Sequence, residues 1–552
     1  MPLATLIHRA SLPSPQVSAQ QALELLEGHY GLSGVLQALG SQQDLNFRVD
    51  SDRGRFVLKI CRGEYSALEL QAQHAGLKHL REQSGVKVPR VIPAKNGADL
   101  LTLDVAGQSV HVRLLDYIEG QSLTHLDHLP GAVVAGFGQL CGEMDLALAA
   151  FDHPGLERTL QWDARHANAL IGHLLPVIKD DAQRRLIAEA AERAERHLQP
   201  LVDKLPVQAI HMDITDDNVV WQRDAQRQWQ LQGVIDFGDL VRTWRITDLS
   251  VTCAALLHHA NGDPFYILPA IEAYHAVNPL QREELLALWP LIVARAAVLV
   301  LSGEQQVSID PGNQYSRDNL THEWEIFRVA TSVPLELMEA AILACVGQSL
   351  PSIGSEGFAP LLPSLVGREF ALIDLGVLSP HFEAGNWEQE GIDQRLLTEA
   401  AATHGLAASR YGQYRLSRTR PDTADEPDTC PLHVELRVPH GTAVESPFAG
   451  VVHQPSAGVL QLDGPQLSVR LWGVTPSLHV GAALVKGQVL GAVSGPLIVQ
   501  LCRGTAFDAP LFCTPSRALA WQALCPSPAT LLGLACDAEE ELDSQTLLAR
   551  RS

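Results

Sequence analysis

"IHMDITDDNVVW" (residues 210–221) places a histidine and then four acidic or amide side chains, Asp213, Asp216, Asp217 and Asn218, between apolar flanks. The flanking runs VQAI (207–210) and VVWQ (219–222) read as short strands, so the polar residues fill the loop between them. A surface turn explains such a composition, and so does a magnesium-dependent site. The next stretch, "WQLQGVIDFGD" (229–239), separates the two, because it carries a further apolar strand straight to Asp236. If the strands beginning at 219 and 231 pair, Asp213, Asn218 and Asp236 gather at one end of a hairpin. Amide and carboxylate oxygens are hard ligands suited to Mg²⁺, which takes few protein ligands and completes its shell with phosphates. A further carboxylate beside them can accept the proton of an attacking hydroxyl. Phosphoryl transfer needs these parts, since positioning and charge neutralisation supply most of its catalysis.

The bulk composition sets the frame. At 552 residues the chain is too long for one core, and two or three domains are expected. Its 41 basic against 63 acidic residues give a net charge of −22, which argues against nucleic acid or an anionic membrane as partner. A nucleotide is not excluded, because a few local donors and a metal suffice for it. The first residues lack a basic segment followed by an apolar core, so no secretory leader is expected. The longest apolar stretch, 285–301, contains Pro290 and Arg295 and reads as a buried helix rather than a membrane span. Nine cysteines without CxxC pairs suggest reduced thiols in a cytoplasmic protein.

Along the chain, "LNFRVDS" and "RFVLKICRG" flank a turn and suggest a hairpin, followed by a helix in "YSALELQAQHAGLKHLREQ" and a strand at 109–120. Helical periodicity dominates 131–200 and 263–345. Residues 347–367 are rich in Gly, Ser and Pro and read as a linker, and 417–430 are charged and turn-prone. Short strands punctuated by Gly and Pro follow to the end, an all-β pattern.

"HMDITDDN" (211–218) with "VIDFGD" (234–239) resembles the HxDxxxxN loop and metal-binding strand of the aminoglycoside phosphotransferase and choline kinase superfamily. The resemblance spans residues 20 to about 335. It implies an α+β bilobal protein-kinase-like fold followed by a smaller mainly-β domain. The boundaries are an N-lobe over 1–115, a mainly helical C-lobe over 116–345, a linker over 346–367 and a β domain over 368–552. By the same resemblance Asp213 is the catalytic base, Asn218 and Asp236 hold magnesium, and His211 braces the loop. Lys59, on the strand "GRFVLKI", is the lysine that reaches the nucleotide phosphates, with Glu69 favoured over Glu64 as its ion-pair partner. "GSQQDLNFRV" (40–49) lacks GxGxxG but resembles the Ser-x-x-Asp-x-Asn-Phe pattern of enzymes acting on small amino alcohols, through Ser41, Asp44 and Asn46. "LLDYIEG" (114–120) fits the interlobe hinge, with the base bonded by main chain near Asp116, Tyr117 and Ile118. Asp239 and Asp163 are candidates to bind a substrate ammonium, although either could cap a helix or sit at the surface. Asp248 resembles the family's structural acid, and Arg295 is expected to pair inside the helical lobe.

The β region resembles the lysostaphin-type zinc peptidase fold through "LHVELRVPHGTAVESPFAGVVHQ" (432–454) and "LVKGQVLGAV" (484–493). Pro431 stands at the first histidine position, Glu435 at the aspartate position, and the late strand "PLIVQL" has no histidine. A catalytic zinc keeps three protein ligands, so this domain is expected to be a degenerate, inactive relative. Its histidines 433, 440, 453 and 479 then read as surface or turn residues, and a likeness to lipoyl carriers around Lys486 is weaker.

The resemblance implies a small-molecule kinase of the hydroxylysine-kinase-like branch. It would move the γ-phosphoryl of ATP or GTP to a hydroxyl of an amino alcohol or hydroxy amino acid, hydroxylysine or ethanolamine-like, with Mg²⁺ as cofactor. A pyridoxal-phosphate phospho-lyase that consumes the product is the implied partner. An aminoglycoside acceptor is the alternative, as is a non-catalytic pseudokinase joined to a pseudopeptidase.

Overall fold

The structure is a computed structural model and describes residues 15–40, 44–309, 314–351, 353, 357–504 and 507–534. It divides into two compact units, Met1–Val346 and Gly347–Ser552.

The first unit begins with an antiparallel sheet of β1 (Gly34–Leu39), β2 (Leu45–Ser51), β3 (Gly54–Arg62), β4 (Val91–Ile92), β5 (Leu101–Val105) and β6 (Gln108–Asp116). The order is β1-β2-β3-β6-β4, with β5 also paired to β6. β2 and β3 form the expected hairpin, closed where Ser51 faces Gly54. Alternation sorts their side chains. Phe47, Val49, Leu58, Ile60, Val112 and Leu114 form one core. Their neighbours Asn46, Lys59 and Arg113 lie directly opposite one another across β2, β3 and β6, on the other face. These three are buried as well. A sheet with one apolar and one polar but covered face marks the polar side as the working side.

The rest of this unit is mainly helical, as the periodicity implies. Helix Gly131–Leu148 lies close against helix Leu268–Val277, since Gly138 has no Cβ to strike the Ala270 carbonyl; one built there would fall 1.8 Å from it. Helix Arg282–Ile309 is long and apolar enough to cross a membrane by length and composition. Here it is a core helix, buried over most of its length, with Trp289 and Leu301 fully enclosed. Two short ribbons interrupt the helices: β7 (Val207–Ile210) pairs with β10 (Val241–Trp244), and β8 (Val219–Arg223) pairs with β9 (Trp229–Val234).

The second unit is built on a sheet ordered β11-β12-β14-β20-β18-β17-β16-β19, with β15 on β20. These strands are β11 (Ala371–Ile373), β12 (Ala407–Ser409), β14 (Val434–Arg437), β15 (Ala443–Glu445), β16 (Gly450–His453), β17 (Val459–Asp463), β18 (Leu467–Pro476), β19 (Ala483–Leu484) and β20 (Val489–Arg503); β13 (Cys430–Pro431) pairs separately with β21 (Phe512–Cys513). The smaller mainly-β unit agrees with the sequence reading, and the helix Ile392–His404 within it was not anticipated.

Two details differ from expectation. The stretch read as a linker contributes Leu361, Leu362 and Leu365 to the core of the second unit, and Leu361 N–H donates to the Leu531 carbonyl at 2.8 Å. Its Gly, Ser and Pro content gave turns, while the leucines between them supplied apolar area to bury. His433 is not a surface residue: it is 1% exposed, bonded to the Leu511 carbonyl at 2.9 Å, with Glu435 at 3.5 Å. Among the described residues, no trio of metal-ligating side chains converges in this unit.

Candidate active site

The quoted loop runs from the end of β7 to the start of β8. β8 and β9 pair in the register Val219 with Val234, and the Ile235 N–H extends the ladder to the Asn218 carbonyl at 2.9 Å. Asn218 and Asp236 therefore meet at one end of the ribbon.

The loop is held by buried polar contacts. Asp248, fully buried on helix Ile246–Leu256, accepts the His211 N–H at 3.0 Å and the Met212 N–H at 2.8 Å, one on each oxygen. Met212 sits at φ 72°, a left-handed conformation costly for a side chain of its kind. His211 donates from Nε2 to the Ile235 carbonyl at 3.2 Å and accepts the Asp213 N–H on Nδ1 at 3.2 Å. Both bonds use the neutral ring, and burial lowers its pKa to about 4. The histidine is thus a brace across the loop rather than an acid or base.

Asn218 Nδ2 donates to Asp213 Oδ2 at 2.6 Å and to the Asp213 carbonyl at 3.0 Å, which turns its amide oxygen away from that residue. Asp236 takes φ 56° and caps the next turn by accepting the Gly238 N–H on Oδ1 at 3.1 Å. The same oxygen accepts from Lys59 Nζ at 3.0 Å across the cleft. Burial and Arg113 push the Lys59 pKa down, but Asp236 and the other negative neighbours leave it raised above its ordinary value. Desolvation pushes Asp236 upward, yet Lys59 and Arg113 hold it down at about 2. Asp213 moves the other way, to about 8, through burial and the negative charges of Asp239, Asp236 and Asp217, opposed by Arg295.

Several carboxylates thus share a small volume with one lysine. That excess of negative charge, an Asn218 amide oxygen free of Asp213, and Asp236 Oδ2 beside an already occupied Oδ1 suit a divalent cation with oxygen preference. The donor set fits magnesium, with Asn218 and Asp236 as the residues that would hold it.

Other expected residues fall in different places. Asn46 lies opposite Lys59 on the covered face, and its Oδ1 has no hydrogen-bond partner among the described residues. Asp44 accepts from the Cys61 thiol at 3.4 Å. Ser41 lies outside the described residues. Glu69 does not bond Lys59; it faces Arg158 at 4.0 Å, and Arg158 in turn donates to the carbonyls of Gly238 and Leu240 at 2.5 and 3.1 Å. Glu69 therefore acts on the turn after Asp236, the same turn that Gln73 reaches through the Gly238 carbonyl at 3.2 Å. At the hinge, the Asp116 N–H is donated to Arg90 and the Tyr117 N–H to Arg55, at 2.9 and 3.2 Å, so Ile118 is the remaining main-chain donor of the three.

Asp163 takes the helix-cap role that its sequence position left open. It is fully buried, accepts the Arg165 N–H at 3.1 Å as a helix cap, takes two bonds from the Arg165 guanidinium and accepts from Thr243 Oγ1 at 2.8 Å. Both its oxygens are thus engaged within the protein. Asp239 stays half-buried near the site, where it raises Asp213.

Sequence reasoning missed two features. Arg113 lies beside Lys59 because β3 and β6 pair far along the chain. Arg295, expected to pair inside the helical lobe, stacks on the Trp162 ring at 4.6 Å with Asp213, Asp239 and Glu323 as its charged neighbours. Its Nη1 is buried without a hydrogen-bond partner among the described residues. A charged residue inside the long apolar stretch 285–301 was the available signal.

Comparison with known proteins places the likeness in the first unit. Residues 35–286 of that unit match the phosphotransferase enzyme family. This chain is an enzyme that transfers a phosphoryl group to a hydroxyl of a small molecule. The chain is 24% identical to a hydroxylysine kinase of Danio rerio over 336 residues, covering 56% of this chain and 93% of that protein. It is 28% identical to a homoserine kinase of Cupriavidus taiwanensis over 224 residues, 38% of this chain and 60% of the relative. Among solved structures, a microcompartment-associated aminopropanol kinase aligns over 60% of this chain and 99% of its own, at 18% identity and a TM-score of 0.46.

Proposed function

We propose that the enzyme uses ATP or GTP with Mg²⁺ to phosphorylate the hydroxyl of a hydroxy amino acid or a related amino alcohol. The observation that carries the reading is the pairing of Lys59 with Asp236 across the cleft from the Asp213–Asn218 pair. Lys59 would neutralise nucleotide phosphates, and Asn218 with Asp236 would hold the metal. When bound, the metal supplies charge neutralisation at the transferring phosphoryl group. Asp213 would take the acceptor's proton, and its raised pKa suits a base working near neutrality. Asn46 would face the phosphates from β2, Glu69 would steady the turn after Asp236, and the Ile118 N–H would serve the base, beside Asp116 and Tyr117.

On the acceptor side, Asp239 would bind an ammonium and Arg295 a carboxylate, held in place by Trp162. That combination favours a zwitterionic hydroxy amino acid such as hydroxylysine over an ethanolamine-like compound or an aminoglycoside, neither of which carries a carboxylate. The similarity to hydroxylysine and homoserine kinases supports this choice. A cytoplasmic location follows from the nucleotide donor, and a pyridoxal-phosphate phospho-lyase is the reaction partner that would consume a phosphorylated amino alcohol. The second unit is read as a peptidase-like scaffold without zinc chemistry.

The test is a steady-state screen of hydroxy amino acids, amino alcohols and aminoglycosides with ATP and with GTP. Turnover should be greatest with hydroxylysine-type acceptors and fall about 10²–10⁴-fold in Asp213→Asn. Arg295→Met should erase the preference for acceptors bearing a carboxylate. A rate indifferent to Asp213→Asn would remove the base, and a preference untouched by Arg295→Met would remove the carboxylate contact.

A further inference from the structure

A second cluster lies behind the same loop and takes no part in the chemistry above. Asp216, 4% exposed, points Oδ2 at His259 Nε2 at 3.3 Å and at His258 Nε2 at 3.4 Å. The three ligand atoms lie within 4.8 Å of one another, and His259 is fully buried.

The hydrogen bond of one ring fixes where its lone pair points. His259 Nδ1 sits 2.6 Å from the Leu126 carbonyl, which can only accept, so Nδ1 carries the hydrogen. His259 Nε2 is then turned to Asp216 Oδ2 at hydrogen-bond distance, 3.3 Å, and His258 Nε2, which has no hydrogen-bond partner among the described residues, faces the same oxygen at 3.4 Å. Three ligand atoms that face one another in a dry site are satisfied by a cation between them, either a proton or a metal ion. Backbone carbonyls behind the distal ring nitrogens are also how proteins orient metal-binding histidines.

The distances choose between a proton and a metal. A charge-assisted N–H···O bond contracts to about 2.7–2.9 Å, shorter than either pair here. A tetrahedral zinc with ligand bonds of about 2.0–2.1 Å sets neighbouring ligand atoms about 3.4 Å apart. The two observed separations, 3.3 and 3.4 Å, match that edge. Two imidazole nitrogens and one carboxylate oxygen also discriminate against magnesium, which prefers an all-oxygen shell.

We propose that Asp216, His258 and His259 form a zinc site that fastens the loop carrying Asp213 and Asn218 to the segment 257–259 and, through the Leu126 carbonyl, to residue 126. The stacked ring of His322, 4.8 Å from that of His258 between centroids, covers one side of the cluster. The site is separate from the proposed magnesium position, which uses Asn218 and Asp236.

The experiment uses the full chain, stripped with a chelator, loaded with zinc alone, desalted and assayed for metal by mass spectrometry. One zinc per chain is expected, with content reduced about tenfold or more in Asp216→Asn and in His258→Gln. Retention should survive Asp236→Asn, which removes a ligand of the magnesium position. Loss of zinc in that variant alone would assign the ion there and overturn the proposal. Should either cluster variant fail to fold, cobalt loading of the unmodified protein decides: visible bands of a four- or five-coordinate ion support the site. A protein that retains no zinc and gives only the weak spectrum of octahedral cobalt refutes it.

Discussion

Replacing Asp248 by alanine should loosen the loop that carries Asp213 and Asn218. In the native protein the two Asp248 oxygens receive the His211 and Met212 N–H groups in a fully buried setting. Leaving two buried donors unpaired costs about 1–3 kcal/mol each, so roughly 2–6 kcal/mol together. Against this, Met212 could relax from its left-handed φ, returning about 1–3 kcal/mol. The net is a local destabilisation of about 2 kcal/mol, which at about 1.4 kcal/mol per tenfold is roughly thirtyfold in the opening equilibrium. Hydrogen exchange followed by mass spectrometry reads this directly, because peptides covering 207–221 report loop opening while peptides of the second unit serve as an internal control. Protection in the loop should fall about thirtyfold, the second unit should be unchanged, and turnover should drop with the loss of positioning. If loop protection stayed within about threefold of the native protein, the two bonds would not be what holds the strained turn, and the account of the site would fail at its base.

Three further outcomes are expected. Lys59→Met should lower turnover about 10²–10³-fold by removing one preorganised cation, and a near-normal rate would mean that the phosphates are neutralised elsewhere. Asp163→Ala should lower thermal stability through loss of the helix cap, the Arg165 pair and the Thr243 bond, with the acceptor KM unchanged; a raised KM at full stability would return Asp163 to the substrate. His197, bonded to Glu339 at 2.9 Å, has its pKa raised by that bond, so its stabilising contribution is full below the unfolded value of about 6.5 and is lost as pH rises through the folded value. The stability gap between the native protein and His197→Gln should therefore be present at about pH 6 and close by about pH 9, and an equal gap at both would show that the contact is not ionic.

Local sequence was sufficient for the parts of the site that lie close together in the chain. The spacing from His211 to Asn218, and a strand ending at Asp236, specify a loop and a ribbon whose hydrogen-bond register is set by short-range pairing. Alternation likewise put Lys59 on the face opposite Leu58 and Ile60. These are periodic or contiguous signals, and backbone geometry converts them into position without reference to the rest of the fold.

What the sequence could not decide was which charge meets which. Lys59 and Asp236 are 177 residues apart, Glu69 found Arg158 rather than Lys59, Asp163 became a cap, and Asp216 met His258 and His259. An acid on a helix face or loop has several cations within reach of its flexible side chain, and only the angle at which the elements pack selects among them. Partner choice among ionic groups is a property of the closed tertiary structure, whereas loop length and strand register are already properties of the chain.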